Sequence, residues 1–163
     1  MRKKPLYLAL LFVLSISLTA CFKEVDKVFD EGTVVEFQQA IISTPAVGRT
    51  FPIISSANSV TNSPVVSTRL NLVGPQRSSD ITVRVFVDTR PTLTTAQASS
   101  YTLVNGGNVV IPANTSFGSL SVAIGRATSS TATVANLVLV IDSTSSDFKP
   151  SQNYKRLGYS IRQ

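Results

Sequence analysis

Cys21 is the only cysteine in the chain, and no residue is a histidine. A lone thiol cannot close an internal disulfide, so its use must lie in modification, metal binding or reactivity. The missing imidazole removes the commonest general base, the usual partner of a nucleophilic serine and the best transition-metal ligand. Serines and threonines are abundant, yet none has an activating base nearby in sequence. Asp80, Asp88, Asp142 and Asp147 are isolated from one another. Calcium takes about six to eight oxygen ligands, usually several from carboxylates. Asp142 and Asp147 bracket a Ser/Thr loop and would have to meet Asp88 at one end of the fold to make such a site. Acids at strand ends more often cap turns and discourage edge pairing. Asp80 and Asp88 end opposite sides of one strand, too far apart for the carboxylate pair of a glycosidase. No glycine-rich phosphate loop opens a helix. The expectation is therefore a protein that is not an enzyme, with no catalytic residues, no metal and no cofactor.

The thiol has a specific setting. Arg2-Lys3-Lys4 forms a basic cluster, and Leu6 to Leu18 is an uncharged apolar run. That run is shorter than the roughly 20 residues a spanning helix requires, so it reads as a signal peptide. It ends in Leu18-Thr19-Ala20-Cys21. The quartet resembles the lipobox of bacterial lipoproteins: an aliphatic residue, two small residues, then the cysteine. The resemblance implies cleavage before Cys21, lipid on its thiol and membrane attachment through that lipid. Several acyl chains hold firmly where one does not. Phe22 to Gly32 mixes Lys23, Glu24, Asp26, Lys27, Asp30 and Glu31 without a period. It reads as a tether reaching at most ~36 Å. Lys23-Glu24 resembles the surface-export signal of Bacteroidetes-type lipoproteins, and reads equally as part of a solvated linker. The expected organisation is a signal peptide at 1–20, lipidated cysteine and tether at 21–32, and one folded domain at 33–163. The expected location is the outer membrane, at its periplasmic face or the cell surface.

Composition fixes the class of that domain. Val, Ile, Thr and Ser dominate, and β-branched side chains suit a pleated surface. Thr33 to Ser43 reads as a first strand. Arg49 to Ser55 reads as a short one that Pro52 confines to an edge or bulge. Val65 to Val73 is a long strand with Val66, Thr68, Leu70 and Leu72 on one face. In Asp80 to Asp88, Ile81, Val83, Val85 and Val87 alternate with Thr82, Arg84 and Phe86, the period of two expected when one face is buried. Residues 92–100 admit a helical turn. Tyr101 to Val104 and Asn108 to Ile111 flank Asn105-Gly106-Gly107, a hairpin signal. Leu120 to Ile124 alternates. Leu137 to Ile141 is unbroken apolar, as in a strand covered on both faces. Leu157, Tyr159 and Ile161 alternate in a last strand. Seven or eight strands at this spacing predict an all-β, single two-layer antiparallel β-sandwich.

Leu70-Asn71-Leu72-Val73-Gly74-Pro75-Gln76, the strand at Ile81 to Asp88, and Tyr101-Thr102-Leu103 through Ile111-Pro112-Ala113-Asn114 into Gly118 to Ile124 are similar to small Bacteroidetes lipoprotein domains of unknown function. Those domains in turn resemble Calx-beta and immunoglobulin-like sandwiches. Many of them resemble parts of outer-membrane systems that bind and import glycans. The acids of this chain depart from the clustered carboxylates with which Calx-beta domains hold calcium.

The formal charge of +6 includes the three N-terminal basic residues. Removing them leaves a modest excess in which Arg49, Arg69, Arg77, Arg84, Arg90 and Arg126 are far apart in sequence. A nucleic-acid footprint would cluster them, so no nucleic-acid partner is expected. There is no tryptophan. Tyr101 and Tyr159 sit in core-like patterns. Tyr154, among Lys149, Lys155 and Arg156, and Phe86, on the nominally polar face of its strand, are the candidates for contact with a ligand or partner. The expected function is a lipid-anchored, non-enzymatic accessory or protein-interaction module at the outer membrane, with an outer-membrane transporter or glycan-binding protein as partner. One alternative is a surface glycan-binding protein of a polysaccharide-uptake system. Another is a structural subunit or adhesin exchanging strands at Arg49 to Ser55.

Overall fold

Strands this short cannot each bury an apolar face alone, so they pair into sheets and the sheets close on one another. The computed structural model describes residues 32–163. Leu18, Thr19, Ala20, Cys21 and the tether as far as Glu31 lie outside the described residues. Gly32–Gln163 forms one compact unit. It holds ten strands: β1 (Val34–Phe37), β2 (Ile53–Ser55), β3 (Val65–Val73), β4 (Ile81–Val87), β5 (Tyr101–Leu103), β6 (Asn108–Ile111), β7 (Phe117–Ile124), β8 (Val134–Ile141), β9 (Lys149–Pro150) and β10 (Arg156–Arg162). They form two five-stranded sheets, ordered β5-β7-β3-β1-β9 and β2-β10-β8-β4-β6. No helix among the described residues is long and apolar enough to cross a membrane.

The all-β expectation holds, and four details of it are corrected. There are ten strands rather than seven or eight, and the sheets are mixed rather than antiparallel. β1 pairs with β9 and β10 pairs with β2 in parallel. β9 is two residues long and β2 is three, too short to display a period of two. Both lie at sheet edges, where Pro150 and the Pro52 that precedes β2 remove no ladder bond. The expected first strand stops at Phe37, and Gln38–Ile42 forms a one-turn helix, α1. The Ser43 amide donates to the Gln39 carbonyl, and Gln39 Nε2 donates to Ser43 Oγ at 2.8 Å. Ile41 and Ile42 are largely exposed, so the β-branched pair that suggested a strand serves no core.

The fourth correction concerns Asn105-Gly106-Gly107. These residues adopt positive φ (55°, 63° and 82°), as their types predict, but they do not close a hairpin. β5 pairs with β7 in the first sheet, while β6 pairs with β4 in the second. The turn carries the chain from one sheet to the other. A Cβ on Gly107 would collide with the Val85 carbonyl oxygen, so the crossing depends on the backbones touching there.

One hydrophobic cluster joins both sheets. Val35, Phe37, Leu70, Leu120 and Val122 face inward from the first; Val83, Val85, Leu137, Leu139, Leu157 and Ile161 face inward from the second. Each is at most 1% exposed. Burying such a side chain contributes roughly 1.5–3 kcal/mol. Within this core Thr68 Oγ1 is buried without a hydrogen bond among the described residues. It faces Tyr159, whose phenol is pushed above its ordinary value by burial, the nearby Thr68 hydroxyl opposing that shift from outside hydrogen-bonding geometry. A buried hydroxyl left without a partner costs free energy that a methyl of similar shape does not. Thr68→Val is expected to raise the melting temperature by about 4 °C, corresponding to about 1 kcal/mol; a lower melting temperature by calorimetry would mean that the hydroxyl is satisfied in solution.

A charged groove on the outer face of the second sheet

The register of the second sheet builds one row of side chains on its outer face. Phe86 of β4 lies opposite Val140 of β8, and Val140 lies opposite Arg156 of β10. Two strand spacings, about 10 Å, separate the aromatic ring's strand from the guanidinium's. Arg84, two residues before Phe86, projects on the same face. Its carbonyl accepts from the Asp142 amide. Asp88 follows on the other side of Phe86, its amide donating to the Val138 carbonyl.

Asp88 organises the row. Its carboxylate takes Arg90 in a fork, with Nε donating to Oδ1 at 2.8 Å and Nη2 to Oδ2. Arg156 Nε donates to Oδ2 at 3.2 Å from across β8. That bridge spans β8 beside the outward-facing Val138 and Val140, both buried, so β8 reads as apolar on both faces. The Asp88 side chain is only 8% exposed, against 57% for Arg90 and 28% for Arg156. The Arg90 hydrogen bonds hold the Asp88 carboxyl at about 2, well below its ordinary 3.8, with Arg156 assisting and burial opposing.

The result is an open groove of about 580 Å³. Phe86, 41% exposed, supplies apolar surface above the buried Val140, and Arg84, Arg90, Lys155 and Arg156 supply cations. Two smaller clefts, of about 200 and 170 Å³, adjoin it through Arg90, Arg156 and Lys155 and add Arg49. Arg49 Nη2 donates to the Thr92 carbonyl at 2.8 Å. Five basic side chains therefore surround a single lining carboxylate, Asp88. Arginines that are far apart in sequence, Arg49, Arg84 and Arg90, line this groove or a cleft adjoining it, which the linear spacing did not reveal. The signal that was readable is Arg84 alternating with Phe86 on the polar face of β4.

Of the two aromatic candidates, Phe86 lines the groove and Tyr154 does not. Tyr154 is 38% exposed. Its amide donates to Ser151 Oγ and its carbonyl accepts from the Phe37 amide. Its neighbours Asn153 and Lys155 line an adjoining cleft. The carboxylates considered for calcium do not converge. No group of three such ligands occurs among the described residues. Asp88 is committed to arginines, and Asp142 Oδ1 accepts from the Thr144 amide and hydroxyl. Asp80 Oδ1 accepts from the Ala113 amide. A second apolar patch of about 440 Å³ lies at Phe117, Val110 and Pro112. There the Arg69 guanidinium covers the Phe117 ring at 3.8 Å, so the aromatic face is already occupied from within.

No protein-family model matches the chain. No curated protein matches it. Solved structures share its fold. A two-domain protein of unknown function from Bacteroides fragilis NCTC 9343 aligns with a TM-score of 0.51 at 9% identity, over 82% of this chain and 47% of that one. A protein from Bacteroides ovatus ATCC 8483, provisionally described as carbohydrate-binding, aligns with a TM-score of 0.51 at 10% identity, over 79% of this chain and 36% of that one. EndoBT-3987 of Bacteroides thetaiotamicron, solved with a Man5GlcNAc product, aligns with a TM-score of 0.50 at 12% identity, over 78% of this chain and 30% of that one. The chain spans less than half the length of each. At these identities the likeness defines the fold, an all-β sandwich that occurs within larger Bacteroides proteins, and function must be argued from the site.

Proposed function

We propose that the chain is a lipid-anchored, non-enzymatic accessory module of the outer membrane that binds glycan in the groove on the outer face of the second sheet. Lipid on Cys21 after cleavage behind Leu18-Thr19-Ala20 would supply the anchor. The observation that carries the binding reading is the row of Phe86, Val140 and Arg156: an exposed aromatic face set within reach of charged hydrogen-bond donors. Sugars offer one apolar C–H face and a rim of hydroxyls, and such a row answers both. It replaces the tryptophan that this chain lacks. The carbohydrate association of two structural neighbours agrees with this reading. The lining carboxylate is locked between two arginines, which favours a structural and positioning role over acid–base chemistry.

A glycan array probed with the full chain in detergent tests the reading, using wild type and Phe86→Ala. Wild type is expected to bind at least one glycan class. The variant, altered at an exposed position, is expected to keep its melting temperature within about 2 °C while affinity falls about fivefold to tenfold. An array on which Phe86→Ala binds as wild type does would remove the groove from the account.

A further inference from the structure

We infer that the glycan taken by this groove is an acidic one, a saccharide chain whose carboxylate or sulfate oxyanions are held by Arg84, Arg156 and Lys155 while a sugar face rests on Phe86. The inference rests on the glycan-binding reading and goes further by naming the ligand's charge. Asp88 uses the Nε of both Arg90 and Arg156. Two bonds hold the Arg90 guanidinium and one, at 3.2 Å, tethers that of Arg156. Among the described residues, Nη1 and Nη2 of Arg156 and Nη1 of Arg90 have no hydrogen-bond partner, and neither do the side-chain nitrogens of Arg84 and Lys155. Arg156 thus presents both Nη groups and Arg90 one, beside Arg84 and Lys155, in a groove whose lining holds one carboxylate, Asp88, with Asp142 near enough to Arg84 to act on it electrostatically. Guanidinium is the donor geometry that matches a planar carboxylate or a sulfate in paired hydrogen bonds. A neutral glycan would leave this charge uncompensated, whereas an acidic one neutralises it. The groove's single lining ring, Phe86, argues against single-stranded nucleic acid, which needs successive stacking platforms.

Isothermal titration of the full chain in detergent tests this with two pairs of probes: polygalacturonate against its fully methyl-esterified form, and dextran sulfate against dextran. At least one charged member is expected to bind tenfold or more tightly than its neutral counterpart, and the arm that binds identifies carboxylate or sulfate as the ligand group. Arg84→Glu and Lys155→Glu are each expected to lower that affinity about tenfold. Arg126→Glu, an equal change of charge outside the groove, is expected to change it less than twofold. Equal binding of charged and neutral partners would overturn the inference while the glycan reading stands. Silence of all four probes, together with a blank glycan array, would overturn both. An equal loss with Arg126→Glu would reduce the effect to unspecific net charge and overturn the inference. Preference for detergent micelles doped with phosphatidylglycerol, lost in Arg84→Glu and without glycan binding, would assign the face to lipid headgroups instead and also overturn it.

Discussion

Gly107→Ala is expected to destabilise the domain by about 4 kcal/mol, a large share of the roughly 5–15 kcal/mol that holds a domain of this size together. Two costs add. Gly107 sits at φ 82°, where an L residue loses roughly 1–2 kcal/mol. Its added Cβ would also run into the Val85 carbonyl oxygen, a backbone atom that cannot swing aside. Val85 is fully buried in β4, so relieving the clash displaces a core strand. The melting temperature should fall by about 15 °C in a circular-dichroism scan. Gly106 is the internal control. It has φ 63° as well, but its Cβ would meet only Asn108 Nδ2 at 3.9 Å, so Gly106→Ala should cost about 1 kcal/mol. Equal losses in the two variants would show that the crossing does not depend on close backbone approach.

Asp88→Asn should separate stability from binding. The carboxylate accepts from Arg90 Nε, Nη2 and N and from Arg156 Nε while nearly buried. Its pKa of about 2 in the folded protein lies below the ordinary 3.8, so the charged form is favoured by folding. That contribution is fully present above about pH 5 and is lost as pH falls toward 2. Its size is about 2 kcal/mol, an upper figure because Arg90 is largely solvated. The variant should therefore be about 2 kcal/mol less stable at pH 7, and its disadvantage should fade between about pH 4.5 and pH 2. Denaturant titrations at several pH values check this. A constant difference across that range would mean that the loss is one of packing, not of charge. The same substitution removes a negative charge from the groove and also the bonds that hold Arg90 and Arg156, two opposing effects, so affinity for an anionic ligand should change by less than about threefold even as stability falls. A tenfold loss would mean that Asp88 acts chiefly by holding the arginines.

Much of the fold was legible because burial on one face leaves a period of two. Val65–Val73, Ile81–Val87 and Val134–Ile141 announced themselves through that alternation or through an unbroken apolar run. What was hidden is information carried by pairing. Asn105-Gly106-Gly107 specified its positive φ angles correctly, but φ angles do not say which sheet each flanking strand joins. Lys149–Pro150 has no pattern of its own and becomes a strand only because β1 offers it an edge. The groove was legible in part. Phe86 and Arg84 stand out as a large ring and a cation on the polar face of one strand. Arg156 and Asp88 lie 68 residues apart, and only the register of β8 between β4 and β10 brings them into one bridge.

The most direct measurement of the central claim is hydrogen–deuterium exchange of the full chain in detergent, with and without the best-binding glycan from the array. The account predicts slowed exchange at Asp88 to Arg90, around Ser143, and at Asn153 to Arg156, the segments that line the groove and its adjoining clefts, with no change at Phe117 to Ser119. Protection confined to the Phe117 patch, or glycan binding that leaves the groove segments exchanging as before, would contradict it.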